Sequence, residues 1–189
     1  AATAADPFAA TEDIIAVETF FVGRNTYRVL VARGTTDAGN PAEIAYSDDA
    51  GATWTTVNVG STNGQYAPTR HSVYALNMRN IWFATATGYV YKSEDGGITW
   101  TTQLSGTITA SLINAIRFVD EQVGWFGANS NILARTVDGG VSWTAITGPS
   151  AQAAAHILAV EPLDQNRVYL GYSDGEVWYT ADGGTNWSQ

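Results

Sequence analysis

The 189-residue chain carries a net charge of −9, with 45% apolar and only 14% charged residues, so a packed core is expected and a disordered chain is excluded. Its nine basic residues, eight Arg and one Lys, form no stripe, which argues against nucleic-acid partners and against anionic membranes. There is no cysteine, hence no disulfide and no thiolate metal site, and no run of eighteen apolar residues that would insert in a membrane.

Residues 1–11, "AATAADPFAAT", are set apart as an N-terminal segment, either a linker or a strand that closes the fold. The first apolar run, "IIAV" (14–17), opens a longer stretch ending at "SDDAGATW" (47–54). Three further stretches end in the same way: "SEDGGITW" (93–100), "TVDGGVSW" (136–143) and "TADGGTNW" (180–187). Their tryptophans, Trp54, Trp100, Trp143 and Trp187, recur at a period in the forties, the spacing of propeller blades or helical arrays. Between them lie short apolar runs split by turn residues, without the 3.6-residue periodicity that helices need. The fourth stretch reads as strand A "HILAVEP", strand B "RVYLGYS", strand C "EVWYTA", a turn, and strand D beginning at the Trp. Four antiparallel strands in a meander make one propeller blade. The expected fold is therefore an all-β propeller over 12–189, with blades at roughly 12–59, 60–105, 106–148 and 149–189. The first blade carries extra residues around "RGTTDAGNPAE" (33–43), expected as a longer hairpin loop.

Each closing octapeptide has a physical logic. The Asp carboxylate can accept from backbone N–H groups of its own turn, and the glycines supply positive φ. The Ser/Thr two residues before Asp and the residue before Trp are expected to bond across the hairpin mouth. The Trp then anchors the turn to the core between blades.

These octapeptides resemble the Asp-box, or BNR repeat, S/T-x-D-x-G-x-T/S-W. Ser47, Asp49, Gly51, Thr53 and Trp54 match in full, as do Ser93, Asp95, Gly97, Thr99 and Trp100, and Thr136, Asp138, Gly140, Ser142 and Trp143. The fourth set, Thr180, Asp182, Gly184 and Trp187, departs at Asn186. Asp-box propellers include sialidases, xyloglucan-degrading hydrolases, sortilin-type receptors and photosystem II stability/assembly factor-like proteins. "FVDEQVGWFGANSNILARTVDGGVSW" (118–143) is most similar to the last group. The resemblance implies a fold and leaves function open, because one fold serves many activities.

Four copies of the same Asp argue for a structural role, since an active site is normally built once. The sialidase signature F/Y-R-I-P is matched by "YRVL" (27–30) at Tyr27 and Arg28 but loses its Pro, so sialidase chemistry is not expected. Glu18, Asn77, Arg117 and Glu161 fall in one repeat column, a polar rim at one end of the channel, and are expected to be solvated. His71 and His156, each near the start of a strand A, are read as ordinary polar residues, and no metal or cofactor is expected. The expected function is a non-catalytic binding or structural module, outside the cell, on its surface or in a virion, with a protein or glycan partner and association into an oligomer or larger assembly. A glycosidase, or a piece of one, and an assembly factor for a membrane complex are the alternatives. Only Ser188 and Gln189 follow Trp187, so the fourth blade lacks most of its strand D. Either residues 1–11 fill that place or the chain is one piece of a larger propeller; a chain that is incomplete or completed by a partner is favoured.

Overall fold

A computed structural model of the chain describes residues 7–8, 14–23, 26–33, 43–60, 73–105, 108 and 111–189. Each short apolar run between turn residues becomes a strand, and the strands group into four antiparallel meanders in chain order. Blade 1 holds β1 (Ile14–Gly23), β2 (Thr26–Arg33), β3 (Glu43–Ser47) and β4 (Thr55–Asn58). Blade 2 holds β5 (Val73–Ala75), β6 (Ile81–Ala84), β7 (Tyr89–Ser93) and β8 (Thr101–Ser105). Blade 3 holds β9 (Ile113–Phe118), β10 (Gly124–Ala128), β11 (Ile132–Thr136) and β12 (Thr144–Thr147). Blade 4 holds β13 (Ile157–Pro162), β14 (Val168–Tyr172) and β15 (Val177–Thr180). Its outer strand is reduced to a single bridge, in which the Tyr179 N–H donates to Ser188 O at 2.7 Å and the Ser188 N–H returns the bond at 2.9 Å. The fold is a β-propeller with its inner strands side by side: β5 touches β1, β9 touches β5, and β13 touches β9.

The core lies between blades. Every central strand alternates, so one face looks to the preceding blade and the other to the following blade. The face toward the following blade, here called the trailing face, repeats position by position. It is Leu30, Ala32 and Ile44 in blade 1, Trp82, Ala84 and Val90 in blade 2, and Trp125, Gly127 and Leu133 in blade 3. Leu30, Ala32 and Ile44 pack with Val73, Ile81, Phe83 and Tyr91 of blade 2. Trp82, Ala84 and Val90 pack with Ile113, Ile116 and Phe126 of blade 3. Trp125 and Leu133 pack with Ile157, Val160, Val168 and Leu170 of blade 4. Gly127 is required by that contact: a Cβ there would stand 2.3 Å from Ile157 Cγ2.

Pro7 and Phe8 lie on blade 1. Phe8 packs with Val31 and Ala45, and the Thr56 hydroxyl donates to Pro7 O at 3.4 Å. The remainder of the 1–11 segment, and most of the extra loop of blade 1, fall outside the described residues.

Candidate functional site

The four Asp-box turns share one hydrogen-bond pattern. In the first, the Ser47 hydroxyl donates to Asp49 Oδ1 at 2.8 Å and accepts from the Gly51 N–H at 2.8 Å. The other carboxylate edge takes the Thr53 hydroxyl at 2.6 Å, while Oδ1 also accepts the Thr53 N–H at 2.8 Å. The Ser/Thr pair therefore does not bond directly across the hairpin mouth, as the sequence suggested; both hydroxyls meet on the carboxylate between them. Thr136, Asp138, Gly140 and Ser142 repeat the arrangement, as do Ser93, Asp95, Gly97 and Thr99. In the fourth turn Asn186 replaces the hydroxyl and its side-chain amide donates to Asp182 Oδ2 at 2.8 Å. Hydrogen bonds from Thr53 hold Asp49 down at about 2, and those from Asn186 do the same for Asp182. All four carboxylates are thus occupied by their own turns.

The last three turns also lean on the preceding blade. Trp100 packs on the core shared by blades 1 and 2, Trp143 on that of blades 2 and 3, and Trp187 on that of blades 3 and 4. The Trp187 indole N–H donates to Thr147 O of blade 3 at 3.0 Å. Arg28 of blade 1 donates to Gly96 O at 2.8 Å, and Trp82 of blade 2 donates to Gly139 O at 3.1 Å. Arg28 spends its other donors on Asp48, at 2.7 Å for both contacts, and its guanidinium sits 4.4 Å from the centre of the Tyr46 ring. It ties two turns together instead of facing a carboxylate substrate.

The polar column on the inner strands differs from expectation at one place. Glu18 pairs with Leu30, Arg117 with Trp125, and Glu161 with Tyr169. The residue opposite Trp82 is Tyr74, not Asn77. Asn77 sits in the turn between β5 and β6, where its Oδ1 accepts the backbone N–H groups of Arg79 and Asn80 at 2.9 Å. Glu18, Tyr74, Arg117 and Glu161 do influence one another. The Arg117 guanidinium stands 5.2 Å from the Tyr74 ring centre. Burial raises the Glu18 carboxyl, and Arg117 opposes that rise.

His156 accepts the Ser130 N–H on Nδ1 at 3.1 Å, while His71 lies outside the described residues. Among the described residues no group of three His, Cys, Asp or Glu is placed to hold a metal, and no helix is long and apolar enough to cross a membrane.

The feature that sequence reasoning missed is the trailing face of blade 4. Its residues are Tyr169, Gly171 and Val177, in the positions held by Trp125, Gly127 and Leu133 in blade 3. Trp125 is 0% exposed and Leu133 1%, whereas Tyr169 is 43% and Val177 57% exposed. Tyr169 and Tyr179 pair on this face with ring centres 4.6 Å apart, and Leu158 on β13 is 43% exposed. The signal was present in the aligned columns, but a column shows kinship of position, not whether a neighbour covers it.

The comparisons with known proteins agree with this geometry. A family model described as photosynthesis system II assembly factor YCF48, of the PSII_BNR type, matches residues 34–120. The chain is built of BNR-type β-propeller blades. Two GH74 structures superpose on 85% of it: the Niastella koreensis enzyme, with TM-score 0.63 and 22% identity, and the Xanthomonas campestris xyloglucanase, with TM-score 0.65 and 15% identity. The chain spans 28% of the length of each. A structure of YCF48 bound to D1 peptide aligns with 94% of this chain and 66% of its own, at 16% identity and TM-score 0.39. No curated protein matches the sequence. At these identities the two GH74 structures speak for the fold alone.

Proposed function

We propose that these blades serve as a non-catalytic protein-contact module within a larger assembly, on a cell surface, outside the cell or in a virion. The observation that carries this reading is the trailing face of blade 4. Blades 1 to 3 bury the positions of Tyr169 and Val177 against a neighbour, and blade 4 leaves both residues open. An exposed apolar patch of this kind marks a contact surface. The family-model match over 34–120 fits an assembly role as a narrower form of the same reading. The composition fits a soluble partner-seeking surface, with a net charge of −9 to suppress indiscriminate association.

A second reading, glycoside hydrolysis, has one observation in its favour. Glu18 and Glu161 stand in the same inner column, and Glu18 is raised by burial, a property useful to a general acid. The two readings separate on one assay. The chain is incubated with a xyloglucan oligosaccharide and, separately, with a fluorogenic sialoside. The contact-module reading expects no product. Turnover that disappears in Glu18→Gln or Glu161→Gln would overturn it.

A further inference from the structure

Blades 2 and 3 each have a neighbour on both sides. Among their described residues the large apolar side chains left exposed are Met78, Ile98, Val137 and Val141. All four lie at the end of the propeller that carries the Asp-box turns. Ile98, Val137 and Val141 belong to those turns, and Met78 to the β5–β6 turn, where the Gly96 N–H donates to Arg79 O at 3.0 Å. Two hollows open at this end. One, of about 340 Å³, lies between blades 1 and 2 and is lined by Arg28, Met78, Arg79, Asp95 and Ile98. The other, of about 290 Å³, lies between blades 2 and 3 and is lined by Arg79, Asn80, Glu94 and Glu121. Arg79 is the wall they share. The repeat does not account for the first hollow. Met78 stands where blades 3 and 4 carry Glu121 and Gln165, and Ile98 where blades 1 and 4 carry Ala52 and Thr185. In the second hollow Glu121 Oε1 accepts from the side-chain amides of Asn80 at 2.9 Å and Asn77 at 3.3 Å, and the Lys92 ammonium lies 2.7 Å from Glu94 Oε1. Glu94 and Glu121 are both exposed.

The geometry points to these paired hollows as the docking site for a basic, apolar segment of a partner protein. One of its Lys or Arg side chains enters between Glu94 and Glu121, and an aliphatic side chain enters between Met78 and Ile98. The proposal rests on the contact-module reading, names the chemistry of the partner, and uses a surface separate from the trailing face of blade 4. Charge selects the occupant. Asp95 and Asp120, chain neighbours of Glu94 and Glu121, add to the negative charge, against Arg79 and Lys92. The hollows also oppose the reversed arrangement. Arg28 and Arg79 line the apolar one and repel a basic side chain there, while the carboxylates of the other repel an acidic one. Arg28 does not compete for the partner, because its donors are held by Asp48 and Gly96 O. A second copy of the chain is a poor occupant, since each copy carries −9.

Fluorescence anisotropy tests the proposal, with the full chain titrated into short labelled peptides. The probes are a peptide of Lys and Leu, one of Lys and Ser, and one of Glu and Leu. The Lys–Leu peptide is expected to bind, more weakly as salt rises, the Lys–Ser peptide to bind less well, and the Glu–Leu peptide not to bind. Glu94→Gln/Glu121→Gln is expected to weaken the Lys–Leu peptide by about tenfold, the worth of two partly exposed charge pairs. Met78→Gln/Ile98→Thr installs the residues that blade 4 carries at these positions, so the fold accepts them; it should weaken the Lys–Leu peptide and leave the Lys–Ser peptide unchanged. Asp174→Asn, on the β14–β15 turn away from both hollows, should change nothing, and melting of every variant should match the parent chain. No binding of the Lys–Leu peptide would overturn the proposal, as would equal binding of the Glu–Leu peptide. Weakening by Asp174→Asn as large as by Glu121→Gln would mean general attraction by an acidic protein, and indifference to Met78→Gln/Ile98→Thr would mean that no apolar side chain is held; either result overturns it. Glycoside turnover would strike the contact-module reading and leave these titrations intact, whereas failed titrations strike this site and leave the blade 4 face standing.

Discussion

The trailing faces of blades 3 and 4 are the same surface in two situations. Both come from the central strands of a BNR-type blade, with a large aromatic, a glycine and a branched aliphatic at matching positions. In blade 3 the surface is a core, closed by Ile157, Val160 and Leu170. In blade 4 it is an exterior. The difference teaches that the repeat specifies a blade with two sticky faces, and that burial comes from the neighbour and not from the blade itself.

The comparison can be broken by paired substitutions. Trp125→Ala removes a fully buried indole and should cost about 3–5 kcal/mol in denaturant unfolding. Tyr169→Ala, at the matching position in blade 4, should cost less than about 1.5 kcal/mol because much of its ring already faces water. Equal costs would mean that the blade 4 face is covered in solution. The glycines give a second pair. Gly127→Ala drives a methyl into Ile157 and should destabilise by about 1–3 kcal/mol. Gly171→Ala meets only the Ala159 methyl at 3.3 Å and should change the unfolding midpoint little.

Smaller effects sharpen the contrast between turns and faces. Asp138→Ala leaves the exposed Ser142 N–H and hydroxyl to solvent and the buried Thr136 hydroxyl without its acceptor, at a cost of about 1–2 kcal/mol. Asp49 and Asp182 are held down at about 2 by hydrogen bonds. Their folded values lie below the unfolded one, so their contribution is present above the ordinary aspartate value of about 4 and fades as pH falls toward about 2. A melting profile should therefore decline across that window, and Asp49→Asn should flatten it. The smallest effect is a gain. Ala50 occupies a turn position with φ of 59°, where the other three boxes place Gly96, Gly139 and Gly183. Ala50→Gly should stabilise the chain by about 0.5–1 kcal/mol, seen as a raised melting temperature.

The architecture was legible because the Asp-box is a local device. Asp49, Asp95, Asp138 and Asp182 organise their turns with residues at most four positions away, and the Trp period counts blades directly. Long-range placement was harder to read. Asn77 was assigned to the inner rim by aligning "VYAL" (73–76) with "INAI" (113–116), three residues out of step with the register set by Trp82 and Trp125. Short apolar runs slide easily, whereas a Trp does not. The cover formed by Phe8 was not legible at all, because one aromatic in an Ala-rich segment carries no periodicity. Nor was the open face of blade 4, since Tyr169 and Val177 have the composition of core positions and lack only a neighbour.

The absence of cysteine from the chain permits a direct test of the central contrast. Leu133→Cys and Val177→Cys each place one thiol at the same blade position, and their reaction with a soluble disulfide reagent is followed under native conditions at low protein concentration. The account predicts that the thiol at position 177 reacts at the rate of a free one, while the thiol at position 133 waits for the blades to open. Similar protection at both positions, or similar freedom at both, would contradict it.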